Sequence, residues 1–276
     1  MANLINNLYL IPYAKLLRKK TIWWDAGYSL PVRTSKRKLI DLVVKPFVKL
    51  TDGQMAYSTL AKGYLEKYMG GKSAFLNLNT INTSYFESIS DEIQENISNY
   101  NFNKDNIKLL YVGVVEERKK VKELIDITVR LNQNIKEKQF SLIIIGGGNQ
   151  LEELKLYADK YENIKLLGPI YDKNQLKTYY FRSDLFVLPG DGGLAILQSL
   201  LFGLPVLSIK GADGTELDYI NDDTFLADSM VEIEETLSNL FFIDRKKVIN
   251  KLPKVKHQDW KNVLKSFIIY LYATKN

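Results

Sequence analysis

From residue 104 onward, short runs of Ile, Leu and Val alternate with stretches of helical period, and this alternation constrains the fold more than any other feature. The runs are 107–112, 141–145, 164–167, 185–188, 205–209 and 224–227. Between them the spacing predicts helices over 120–136, 149–161, 173–181, 194–202, 232–240 and 244–252. Strands that read as continuous apolar runs are covered on both faces. Strand and helix in strict alternation imply a parallel, doubly wound sheet, so the second half is read as a complete Rossmann-like domain.

Ligands of such sheets bind beyond the carboxyl ends of the strands. Glycines gather there: Gly113, Gly146-Gly147-Gly148, Gly168, and Gly190 with Gly192-Gly193 follow the first four runs. Glycine at such a turn lets backbone approach a ligand closely. Two of these turns open into helices, whose first amides favour phosphate. The alternative at each glycine is a plain strand-to-helix turn.

The first hundred residues are α/β but sparser. The pattern predicts a helix over 4–17, a strand over 21–24, a helix over 36–50 kinked near Pro46, a strand over 51–57, a helix over 59–68 and a strand over 73–77. The polar segment 84–103 reads as a linker. The expected division is a partial first domain over 1–103, the Rossmann-like domain over 104–255, and a closing helix over 256–276 that packs back toward the first domain.

Composition removes several functions. There is no cysteine, which excludes disulfides and thiolate metal sites, and the single histidine, His257, leaves no basis for a histidine metal site. No stretch reaches the roughly 18 apolar residues of a membrane span, and the opening residues do not read as a secretory signal. The net charge of +6 includes clusters at Arg18-Lys19-Lys20 and at Arg33, Lys36, Arg37 and Lys38. They suit either contact with phosphates or anionic lipid, or a solvated face. No nucleic-acid motif accompanies them, so nucleic acid is not expected as a partner. An NAD-dependent oxidoreductase fits poorly, because Gly146-Gly147-Gly148 does not follow G-x-G-x-x-G and no acid closes the next strand.

The most informative stretch runs Ser183-Asp184-Leu185-Phe186-Val187-Leu188-Pro189-Gly190-Asp191-Gly192-Gly193-Leu194, then Gln198, then Gly203-Leu204-Pro205-Val206. It resembles the signature of the retaining GT-B glycosyltransferases of family 4, the glycosyl transferases group 1 pattern. Leu110-Tyr111-Val112-Gly113 with Lys119, residues 142–148, residues 164–168 and Gly214-Thr215-Glu216 resemble further family segments in the same order. The resemblance implies a nucleotide diphosphate sugar held against the second domain. It places Lys119 on the diphosphate, where a cation offsets the charge of the leaving group. It places the backbone of Ile170 at the base, Glu216 near the sugar or ribose, and Gly113, Gly147 and the turn Gly190, Asp191, Gly192, Gly193 and Leu194 around the donor. No cofactor or metal is implied; the nucleotide sugar is a substrate.

There are departures. The family arginine falls on Val114, with Arg118 nearby as a partial replacement. The paired glutamates fall on Gly190 and Gln198, leaving Asp191 as a stand-in for the first acid. An amide at 198 still offers both a donor and an acceptor to ribose hydroxyls. In the first domain, residues 19–27, 52–57 and 78–82 resemble its middle and end, and Asp25 lies near where many members carry a histidine close to the sugar. The usual start of that domain, with its glycine-rich loop, is not matched.

The sequence therefore implies hexosyl transfer with retention to a glycan or lipid-linked acceptor, in cytoplasmic assembly of a surface polysaccharide at the inner membrane face, with peripheral membrane contact through the basic N-terminal helix. The alternative is a non-catalytic nucleotide-sugar-binding module that associates with itself or with a partner chain through an incomplete first sheet.

Overall fold

The computed structural model describes residues 2–25, 35–70, 73–78, 81–190, 192–210, 218–220, 225–249 and 265–270. Two parallel sheets organise them. The larger has six strands: β4 (Asn106–Val112), β5 (Gln139–Ile145), β6 (Ile164–Gly168), β7 (Leu185–Leu188), β8 (Val206–Ile209) and β9 (Leu226–Ala227). Their order is β6-β5-β4-β7-β8-β9, every pairing parallel. Strand order therefore reverses beside β4, with successive strands added first on one side and then on the other, which opens a crevice at the carboxyl ends of β4 and β7.

The strand sequences explain this placement. All four residues of β7 are buried, as are Ile107, Leu109, Leu110 and Tyr111 of β4. Helices α6 (Val121–Asn134), α7 (Leu151–Ala158), α8 (Lys173–Arg182) and α9 (Leu194–Leu201) connect the strands. Local chemistry sets their starts. Asp172 caps α8 by accepting from the Gln175 N–H at 2.7 Å. Ser229 caps α10 (Met230–Ser238) by accepting from the Glu232 N–H, and the Glu232 carboxylate accepts from the Asp228 N–H at 2.6 Å.

Residues 84–98 do not form a linker. They fold as α4 (Ser84–Ser88) and α5 (Ser90–Ser98), and Phe86, Ile89, Ile93 and Ile97 are buried in the core of the larger sheet. The spacing of those four is helical, but Asn, Ser, Asp and Glu on the remaining faces hide it. This core therefore draws in residues well before the expected boundary at 104.

The smaller sheet is β1 (Ile22–Asp25), β2 (Gly53–Ala56) and β3 (Phe75–Leu76), in that order and parallel. Helices α1 (Ala2–Leu16), α2 (Ser35–Leu50) and α3 (Thr59–Tyr64) accompany it, and α2 runs through Pro46. The helix expected over 59–68 changes winding after Tyr64 and continues as a π-helix, Leu65–Gly70. A separate core joins Ile11, Trp23, Val44, Val48, Ala61, Leu65 and Met69. Of the closing segment only 265–270 is described. There Phe267 and Tyr270 lie 5.7 and 5.3 Å from the Phe75 ring, and the Tyr270 hydroxyl donates to Ser73 O at 3.0 Å.

Candidate functional site

The carboxyl ends of β4, β5 and β6 are laced together beyond the sheet. Gly113 N–H donates to Ile145 O, Val115 N–H to Gly147 O, and Gly146 N–H to Gly168 O, each at 2.9 Å. That lacing accounts for most of the triple glycine. A Cβ on Gly146, where φ is +148°, would stand 1.8 Å from Gly113 O, and one on Gly148 would stand 2.1 Å from Val115 O. Both glycines are required by the neighbouring turn, the alternative that the sequence left open at each glycine. Gly147 differs: its nearest neighbour would be the Pro169 ring at 3.9 Å. Gly113 sits against the hydroxyl of Tyr111, which donates to Val114 O at 2.8 Å and fixes the turn. Burial pushes that phenol far above its ordinary value.

Lys119 enters from a short 3₁₀ turn, Glu117–Lys119, that follows the Gly113 turn. Its amide donates to Glu116 O at 2.9 Å, and Lys120 then takes the left-handed conformation that launches α6. Gly190, buried at the end of β7, receives this backbone: a Cβ there would lie 2.4 Å from Arg118 O and 2.5 Å from Lys119 Cα. The Lys119 ammonium donates to Gly192 O at 3.3 Å. Gly193, at φ +124°, starts α9, so the capping residue brings no side-chain oxygen to the first-turn amides of that helix. An ammonium and a helix N-terminus therefore meet beside Gly192 and Gly193, an arrangement suited to an anion.

The remaining candidates spread out from this point. Leu194 is exposed in the first turn of α9. Ile170 is half-buried after β6 and packs on the larger core. Gln198 lines a cavity of about 190 Å³ with Ile81, Asn82, Tyr85 and Lys173. Arg118 is exposed, with its Nε 2.9 Å from the Glu116 carboxylate. Asp25 ends β1 in the smaller sheet, beside Ala56 of β2. Asp191, Glu216 and His257 lie outside the described residues. Among the described residues there is no cluster of three His, Cys, Asp or Glu side chains able to hold a metal ion, and no helix long and apolar enough to cross a membrane.

The acid of the Ser183-Asp184 pair belongs to the opposite edge of the sheet. Asp184 is buried and accepts from the Lys108 N–H at 2.7 Å and the Tyr100 hydroxyl at 3.0 Å. Buried Arg245 lies over the Tyr100 ring at 4.4 Å and donates to Asn96 at 2.8 Å and to Ser183 O. That motif acid fastens Tyr100, just beyond α5, to the first half of β4. It does not face the site.

Residues 92–236, more than half of the chain, match the family model for glycosyl transferases group 1. The chain belongs to that family. This group 1 glycosyltransferase is 29% identical to an uncharacterized glycosyltransferase of Methanocaldococcus jannaschii, over 94% of its own length and 68% of that protein. It has the GT-B fold, shared with solved structures at low identity. The lipopolysaccharide outer core galactosyltransferase WaaB, in its apo form, superposes with a TM-score of 0.67 at 15% identity, covering 95% of this chain and 73% of that one. Anabaena HepE in complex with UDP and glucose gives 0.68 at 15% identity, covering 97% and 75%. A UDP-forming α,α-trehalose-phosphate synthase of Burkholderia vietnamiensis gives 0.69 at 11% identity, covering 96% and 72%.

Sequence reasoning missed one feature of the site and one contact outside it. Lys173 shares the cavity of Gln198 although it stands in no motif, and Asn82, of the segment 78–82, joins it there. Asp218 bonds to Thr59 across 159 positions, and no pattern in the sequence links the two.

Proposed function

We propose that this glycosyltransferase moves a hexosyl group from a nucleotide diphosphate sugar, with UDP as the nucleotide, to a glycan or lipid-linked acceptor with retention at the anomeric carbon. The observation that carries this reading is the convergence of Lys119 with the N-terminus of α9, held by the seat that Gly190 provides for the Lys119 backbone. In transfer the anomeric C–O bond to the diphosphate breaks and the acceptor oxygen bonds to that carbon and loses its proton. The departing diphosphate gains negative charge, and a preorganised ammonium and helix amides stabilise it most at that moment. Gln198 lines a cavity large enough for a ribose and offers its amide to the hydroxyls. The backbone at Ile170 serves the base, and Asp25 and Glu216 serve the sugar. UDP is favoured because HepE is seen with UDP and glucose and the trehalose-phosphate synthase is UDP-forming.

Surface polysaccharide assembly on the cytoplasmic side of a membrane is the proposed setting. Tyr9, Leu10, Tyr13 and Leu16 are exposed on α1 beside Arg18 and Lys19, a combination that suits peripheral contact with anionic lipid. The same apolar surface, with Leu39, Leu42 and Val43 exposed on α2, favours the second reading, a nucleotide-sugar-binding module completed by a partner chain.

A thermal-shift panel with UDP, GDP, ADP and TDP and their sugars tests the donor site. UDP should raise the melting temperature of the wild type and not of Lys119→Ala. No response to any nucleotide overturns the reading. Release of UDP from a UDP-sugar by the purified chain, with the transferred sugar keeping its anomeric configuration by NMR, separates the enzyme from the binding module.

A further inference from the structure

A compact set of hydrogen bonds joins a residue anchored in the smaller core to one anchored in the larger. The carboxylate of Asp218 accepts from the Thr59 N–H at 3.0 Å through Oδ2 and 3.3 Å through Oδ1, and Oδ1 also accepts from the Thr59 hydroxyl. Each partner is anchored in a different core. On one side, Ser58 is fully buried and its Oγ accepts from the Ala61 N–H at 3.0 Å, while Ala61 and Tyr64 of α3 belong to the smaller core. On the other, Tyr219 and Ile220, which follow Asp218 directly, are buried in the larger core. Neither partner can shift far without moving the body behind it. Thr59 comes three residues after β2, at the carboxyl end of that strand, the edge that faces ligand in sheets of this kind.

We infer that Asp218 and Thr59 are a pair of positioning residues that hold the smaller sheet against the donor half. The carboxylate suits the task chemically, since it meets the first backbone N–H of α3 and a hydroxyl on the same residue, one acceptor group serving two donors. Being exposed to solvent, the contact is weak enough to open and remake, as a crevice that must admit and release substrate requires. Its role toward the donor half rests on the donor site proposed above; the contact itself does not.

The chain has no cysteine, which makes the test clean. In Thr59→Cys/Asp218→Cys, a short bifunctional methanethiosulfonate reagent should bridge the two thiols intramolecularly in most molecules, read by mass before and after reduction. Singly modified products alone overturn the proposal. Asp218→Ala and Thr59→Val, each checked for folding by circular dichroism, should raise the radius of gyration by on the order of 1 Å above the roughly 19 Å of a compact chain this long. The double variant should open no further than either single one, as for two residues sharing one interaction. Affinity for UDP should stay within about twofold, since the pair lies outside the donor contacts. An unchanged radius, or a lost UDP affinity at unchanged radius, overturns it. Bridging and scattering are read without nucleotide, so a failure of UDP to bind would count against the donor site and not against this pair.

Discussion

Gly190 and Lys119 are in backbone contact: a methyl group on Gly190 would reach within 2.5 Å of Lys119 Cα. The end of β7 therefore sets the height at which the lysine stands over the start of α9. Gly190→Ala should move the 118–119 backbone and cost about 1–3 kcal/mol, the range for overpacking a filled site. The lysine would no longer meet residue 192, so UDP affinity should fall about tenfold or more, equivalent to roughly 1.4 kcal/mol. Chemical denaturation and calorimetry measure the two effects separately. An alanine variant that binds as the wild type does would show that the seat is irrelevant to the site.

The three consecutive glycines should separate sharply. Gly146→Ala and Gly148→Ala each place a methyl group against a carbonyl oxygen that is itself fixed by the neighbouring turn, and should lose about 3 kcal/mol or fail to fold. Gly147→Ala meets only the Pro169 ring and should lose under about 1 kcal/mol. Urea midpoints for the three variants provide the comparison. Equal losses would mean that composition, not register, governs this turn.

The N-terminal helix has its own pH signature. Asp52 joins Lys15 of α1 at 2.8 Å, Lys20 at 3.3 Å and the Thr21 N–H at 2.8 Å. Burial alone would raise its carboxyl, but Lys15, the Thr21 amide and Lys20 together hold it far below the usual carboxylate range. The folded value lies below the unfolded one, so this stability is fully present above the unfolded value of about 3.9 and is lost as pH falls toward the folded value. Asp52→Asn should flatten that acid loss and cost about 2 kcal/mol at neutral pH. Trp23 and Trp24 in adjacent β1 give a fluorescence readout of this part of the molecule. An unaltered acid limb in the variant would refute the assignment.

The larger sheet was legible because β4, β5 and β7 bury residues on both faces and so read as unbroken apolar runs. Helix α5 was not, since Ile93 and Ile97 are its main buried residues amid Ser, Asp, Glu and Asn. The π-helical turn after Tyr64 departs from the 3.6-residue period on which the reading depends. At the site, the motif pointed to Lys119 and to the turn beyond β7. It could not separate Gly147 from Gly146 and Gly148, because that distinction is made by carbonyls of the turn after β4, more than thirty residues earlier. Nor could the basic cluster disclose that Lys20 is bound to Asp52, a pairing created by the β1–β2 register.

The donor site is the centre of the account, and calorimetric titration of UDP into wild type, Lys119→Ala and Lys119→Arg tests it most directly. Charge at 119 next to the α9 N-terminus should make the wild type bind, the alanine variant lose at least about tenfold in affinity, and the arginine variant recover part of it. Equal binding by all three would contradict the placement of the diphosphate between Lys119 and α9.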